Sequence, residues 1–159
     1  MIRIDTKERF LRFWFKGVNN YIDQGNIQEV NYFLKECAKS CSDSYSLKIY
    51  QEAFNNEVLS IEESLELLKE KFSDFQYKLF QDRIEIVYKN CGCDLVQDNL
   101  INSPRICNCS ELSLKYNWEN IFGKNNVKIK RISSILEGDE SCIFEVRLKI
   151  SDSMEVLLS

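Results

Sequence analysis

Along residues 7–23 the apolar positions Phe10, Trp14, Val18, Tyr21 and Ile22 recur at helical spacing, and Leu11, Phe13 and Phe15 widen the stripe. Gly25-Asn26 ends this helix. A second stripe follows at Ile27, Val30, Leu34, Cys37, Ala38 and Cys41. Ser42-Asp43 closes it and is placed to cap a third helix across 44–56, with Leu47, Tyr50 and Phe54 inward. Ser60 and Glu63 form a capping-box pattern for a fourth helix through about Phe72, buried on Ile61, Leu65 and Leu68.

The period then falls from about 3.6 to 2. Phe75, Tyr77 and Leu79 alternate with polar residues, and after Gln81-Asp82-Arg83 the alternation resumes at Ile84, Ile86 and Tyr88. This predicts a hairpin that delivers the chain to Cys91. Residues 91–109 read as irregular and polar. A helix is expected from near Ser110, burying Leu114, Trp118, Ile121 and Phe122 and stopping at Gly123. A strand near 127–135 follows, its alternation slipping around Arg131–Ile132 as a bulge would make it. Glu137-Gly138-Asp139 makes a turn, with Asp139 helping to set it. The last strand places Cys142, Phe144, Val146, Leu148 and Ile150 on one face.

A length of 159 residues suits one domain over 1–159, divided into a helical part (1–72) and a sheet part with a cysteine-rich loop (73–150). One proline and five glycines argue against a long linker. The net charge of −4 gives no global basic field, so nucleic acid is not an expected partner. The run Lys124, Lys128, Lys130, Arg131 reads as the solvated face of a strand. No apolar stretch approaches a membrane span. The start of the chain shows no leader pattern, so a cytoplasmic location with reduced thiols is expected.

That makes the seven cysteines informative. Cys91-Gly92-Cys93 and Cys107-Asn108-Cys109 are two Cys-x-Cys pairs in segments read as loops, and Cys142 opens the inward face of the last strand. Two such pairs can pinch one soft or borderline metal, so the expected cofactor is zinc or an iron–sulfur cluster held by sulfurs from Cys91, Cys93, Cys107, Cys109 and Cys142. Cys37 and Cys41 share one helix face. They are core thiols or further ligands looking across toward the loop. The chain has no histidine, which removes Ser-His-Asp and Cys-His catalysis and every imidazole ligand. Glu119, on the helix after Cys109, is an exposed carboxylate or else a metal ligand or general base.

Residues 91–148 resemble a known group. The segments Cys91-Gly92-Cys93, Ser103-Pro104-Arg105-Ile106-Cys107-Asn108-Cys109-Ser110, Trp118-Glu119-Asn120-Ile121-Phe122-Gly123 and Ser134-Ile135-Leu136-Glu137-Gly138-Asp139-Glu140-Ser141-Cys142-Ile143-Phe144 are similar to small proteins labelled L-2-amino-thiazoline-4-carboxylic acid hydrolase-like. More distantly they resemble the 4-vinyl reductase domain, through a helix ending in Gly, a strand, then Gly-Asp-x-x-Cys-x-Phe. Cys37 and Cys41 match a helical Cys-x-x-x-Cys of the group. The resemblance implies an α+β fold: N-terminal helices packed on a four-stranded antiparallel sheet, with the cysteine-rich loop and a helix inserted between the two hairpins. It also implies a metal site beside an apolar pocket for a small molecule.

Three functional expectations follow. The first is a cysteine-ligated metal domain that binds a small apolar or heterocyclic ligand, with a homodimer left open. The second is hydrolysis of a small cyclic amide or amidine, with Glu119 shuttling the proton or a cysteine thiolate at the helix start acting as nucleophile. The third is thiol redox or metal handling, in which exposed loop thiols oxidise before a buried Cys37.

Overall fold

The computed structural model describes residues 5–55 and 58–149. The architecture is the expected α+β arrangement. Four N-terminal helices, α1 (Thr6–Gln24), α2 (Ile27–Cys41), α3 (Leu47–Phe54) and α4 (Ile61–Lys71), precede the strands β1 (Phe75–Leu79) and β2 (Ile84–Tyr88). A short helix α5 (Asp94–Gln97) and the long helix α6 (Cys107–Phe122) then lead to β3 (Val127–Ser133) and β4 (Cys142–Leu148). Ile150 of the expected last strand and Asn56 of the expected third helix lie outside the described residues.

The sheet is antiparallel throughout, in the order β1-β2-β4-β3. The last strand is therefore central, which explains its clear pattern. Cys142, Phe144 and Val146 are buried on one face, while Glu145 and Arg147 point outward between them. The expected bulge is present: the β3–β4 register slips between Arg131 and Ser133. Ser134 N–H donates to Asp139 Oδ2 at 2.9 Å across the β3–β4 connection, and Gly138 takes φ +99°, a backbone state that an L side chain would strain.

α3, α4 and α6 cover the sheet's inner face. Leu65 and Leu68 of α4, Tyr50 of α3 and Leu114 and Trp118 of α6 meet Phe75, Ile84, Ile86, Phe144 and Val146 in the main core. The capping box forms as the sequence predicts. Ser60 Oγ accepts from Glu63 N–H, and Ser60 N–H donates to Glu63 Oε2.

Two helix boundaries differ from expectation. Ser42-Asp43 does not interrupt the chain: residues Ser42–Ser46 form a π-helical turn joining α2 directly to α3. Ser42 is buried, and its hydroxyl pairs with Ser113 Oγ of α6 at 2.6 Å, so it serves helix packing rather than a cap. α6 also begins at Cys107, three residues before Ser110.

A second, smaller core joins α1 and α2 to the segment before α6. Ile22, Val30, Leu34, Ile101, Ile106 and Cys107 are its buried members. Polar contacts fix the C-terminal half of α1 here. Asn19 Oδ1 accepts from Asn102 N–H and Ser103 N–H, and Ser103 Oγ donates to Asp23. Arg105 caps the helix end by donating to the carbonyls of Ile22 and Gly25 at 3.1 and 2.8 Å. The N-terminal half of α1 has no comparable anchorage among the described residues.

Candidate functional site

All seven cysteines are free. Their sulfurs fall into two sets on either side of α6. Because Cys107 and Cys109 both lie in its first turn, two residues apart, they leave the helix axis about 200° apart. Cys107 is buried, and its Sγ lies 3.1 Å from Ser134 Oγ. Its electrostatic neighbours include Cys142, Arg131 and Glu137. Cys109 instead feels Cys41, Cys37 and Cys93. The first pair bridges the two sets: Cys91 is coupled to Cys93 as well as to Cys107 and Cys142, while Cys93 is also coupled to Cys41 and Cys109.

This division corrects the metal expectation. No three Cys, Asp or Glu side chains among the described residues are grouped so that they could hold a metal ion. Cys91, Cys93, Cys107, Cys109 and Cys142 are not gathered at one point, and neither Cys37 nor Cys41 joins three of them into a group. The physical cause is the early start of α6, since a Cys-x-Cys pair inside a helix cannot turn both sulfurs to one ion. Several sulfurs also have other partners: Ile135 N–H donates to Cys142 Sγ at 3.4 Å.

Cys37, Cys41, Cys91, Cys107, Cys109 and Cys142 are all shifted away from thiolate formation. Burial pushes Cys109 up to about 12, with Cys41, Cys37 and Cys93 adding to it. Cys91, Cys107 and Cys142 are raised chiefly by burial as well. The Ser134 hydroxyl and the Arg131 guanidinium only partly offset this at Cys107, and the Ile135 amide and Arg131 do the same at Cys142. Any stabilisation of a thiolate by the amides of the helix N-terminus therefore loses to desolvation. Glu119 stands ten residues beyond Cys109, about 15 Å along the axis. There it faces Lys115 Nζ at 3.8 Å. Carboxylate and thiols thus lie apart on the helix rather than at one site.

Cys37 and Cys41 are exposed rather than core thiols. The buried stripe of α2 is Val30, Leu34 and Ala38. Arg131, read from sequence as part of a solvated run, is mostly buried instead. It donates to Asn108 Oδ1 at 2.9 Å and faces Glu137 at 3.6 Å, next to the Cys107–Cys142 set. Lys128 and Lys130 are exposed as expected.

The second notable surface is aromatic. Of the stripe read along α1, only Ile22 is fully buried. Phe10 is 62%, Phe13 59% and Trp14 58% exposed, and Tyr32 of α2 is 76% exposed. Phe10, Trp14, Gly17 and Tyr21 share one face of α1, turned roughly 100° from the Phe15–Val18–Ile22 face that packs inward. Phe13 is flanked by Lys16 and Arg9, at 4.5 and 5.6 Å from its ring centre. Past Tyr21 the surface opens into a shallow groove lined by Tyr21, Gln28, Glu29, Tyr32, Phe33 and Glu36, where Tyr21 and Phe33 meet edge to face at 6.0 Å. Sequence alone cannot tell such a stripe from a core stripe, although Gly17 in its middle is a poor residue for a helix packed on its own core.

No helix among the described residues is long and apolar enough to cross a membrane. No family model matches the chain, and no curated protein does. Among solved structures, it is similar to a trafficking protein particle complex subunit 3 from Naegleria fowleri, a structure covalently bound to palmitic acid. That likeness spans 91% of this chain and 96% of the other, at 15% identity and a TM-score of 0.42.

Proposed function

We propose that this chain is a partner-docking module whose α1–α2 face receives another protein. The observation that carries the reading is the bare aromatic surface: Phe10, Phe13, Trp14 and Tyr32 each expose more than half of their area, on two adjacent helices. Scattered exposed apolar residues are ordinary, but a contiguous aromatic patch edged with charge is how protein interfaces are composed. Exposed Phe and Trp cost solubility and add nothing to the stability of the monomer, so their use lies in association. The groove is open rather than enclosed, which suits side chains of a protein better than a buried small molecule.

The test is a photo-crosslinking benzoyl-phenylalanine at position 10, with a control at position 128 on the exposed side of β3. On irradiation in the native host, an adduct from position 10 and none from position 128 is the expected outcome. No adduct from either position contradicts the reading.

A second reading concerns the thiols. All seven are free, and their electrostatic couplings run without a break from Cys37 on α2 to Cys142 on β4. Such an array is suited to slow, exposure-ordered oxidation rather than to catalysis. Graded peroxide treatment with peptide mass spectrometry tests it. Disulfide formation among neighbouring thiols supports the reading, and formation of only isolated sulfinic or sulfonic acids opposes it.

A further inference from the structure

The docking surface is complementary to itself, and we propose that its occupant is a second copy of this chain, paired through antiparallel α1 helices that cross at Gly17. This rests on the docking reading and names its partner. The first argument is charge. The N-terminal half of the face is basic and aromatic, with Arg9 and Lys16 beside the Phe13 ring. Arg12 is turned away from this face and pairs with Glu8 at 2.8 Å. The other half is acidic and aromatic, with Glu29 and Glu36 lining the groove beside Tyr21 and Phe33. A two-fold axis sets one half of each protomer against the opposite half of its partner, as a symmetric dimer interface requires.

The second argument is Gly17. It sits mid-helix on the exposed aromatic face, and a Cβ built there meets nothing within 4 Å. Neither backbone conformation nor packing inside the monomer calls for glycine at this position. A helix-interior glycine costs about 1 kcal/mol relative to alanine. What glycine offers is close approach of another backbone. An antiparallel pair centred on Gly17 sets each Phe13 opposite the partner's Tyr21, so the most basic aromatic meets the mouth of the acidic groove. The positions of glycine, rings and charges all agree on this one register.

Sedimentation of the purified full chain tests the proposal. Wild type is expected at twice the 18.8 kDa chain mass at tens of micromolar, and to dissociate as salt rises. Gly17→Leu has room in the monomer, so it folds normally by circular dichroism and sediments as a monomer. Arg9→Glu/Lys16→Glu is a monomer, and so is Glu29→Lys/Glu36→Lys. Mixed together, these two charge variants form a heterodimer. A monomeric wild type overturns the proposal, as does a Gly17→Leu dimer of wild-type strength or a charge mixture that fails to pair. A monomeric wild type whose position 10 cross-links to a different protein removes the second copy and leaves the docking reading intact.

Discussion

Cys107 and Cys109 lie two residues apart in the first turn of α6, and their sulfurs serve opposite sides of the helix. Cys107 meets Ser134 below the sheet's end, while Cys109 faces Cys37 and Cys41 of α2. This relationship separates the sulfurs that a loop conformation would have gathered. It also sets their order of reaction. Cys37 and Cys41 are exposed, Cys109 is largely covered, and Cys107 is buried. Timed alkylation at pH 8 with peptide mass spectrometry is expected to label Cys37 and Cys41 first and Cys107 and Cys109 last. This reverses the order that the helical stripe suggests from sequence alone.

The alkaline limb of stability follows from Cys109. Its folded pKa lies near 12, above the ordinary thiol value of 9.0. The folded state therefore keeps a proton that the unfolded state has already lost. This contribution is complete below about pH 9 and is lost as pH rises toward 12, at up to about 1.4 kcal/mol per pH unit. Denaturant unfolding of wild type and Cys109→Ala between pH 8 and 11 checks it. The variant is less stable at pH 8, and its stability falls less steeply with pH.

Much of the fold is written plainly in the chain. The change of period at Phe75, the Ser60–Glu63 box, the slip at Arg131 and the Gly138-Asp139 turn each produce the expected element. These signals are local, and local hydrogen bonds satisfy them. The start of α6 was also legible: Ser103-Pro104 is an N-cap followed by a first-turn proline, and Ser103 Oγ accepts from Arg105 N–H at 3.4 Å. The three-residue 3₁₀ turn that it opens runs straight into α6, so Cys107 and Cys109 were never in a loop. The fate of the α1 stripe was not legible, because an apolar helical face carries no mark of whether its own core or another molecule covers it. Only the anchoring of α1 through Asn19, Ile22 and Arg105 turns Phe10 and Trp14 outward.

The main core contains an unusual polar cost. Tyr50 is 2% exposed, and neither its hydroxyl nor the indole N–H of Trp118 makes a hydrogen bond of good geometry, although the two groups and the Tyr88 phenol lie close enough to perturb one another. Their rings meet edge to face at 6.2 Å. Burial, with the Tyr88 phenol nearby, holds the Tyr50 hydroxyl well above its ordinary pKa. Removing an unsatisfied hydroxyl is nearly free, so Tyr50→Phe is expected to change stability by less than about 0.5 kcal/mol or to raise it. Trp118→Ala removes the ring itself and costs about 3–5 kcal/mol. Urea unfolding of the two variants measures both.

The capping box gives a calibrated control for such measurements. Ser60→Ala removes the acceptor of the Glu63 amide and is expected to cost about 1 kcal/mol. By contrast, Phe10→Ser/Trp14→Ser changes only exposed surface, and a dilute monomer of this variant is expected to unfold within about 0.5 kcal/mol of wild type. A larger loss in the double variant shows that these rings stabilise the monomer instead.

The central claim is that another protein covers the aromatic face of α1. Fluorine NMR of 5-fluorotryptophan-labelled protein reads this directly, because Trp14 is exposed on the face and Trp118 is an internal reference at 0% exposure. The account predicts that the Trp14 resonance in intact cells is shifted and broadened relative to dilute purified protein, while the Trp118 resonance stays in place. A Trp14 signal in cells that matches the dilute, solvent-exposed protein contradicts it.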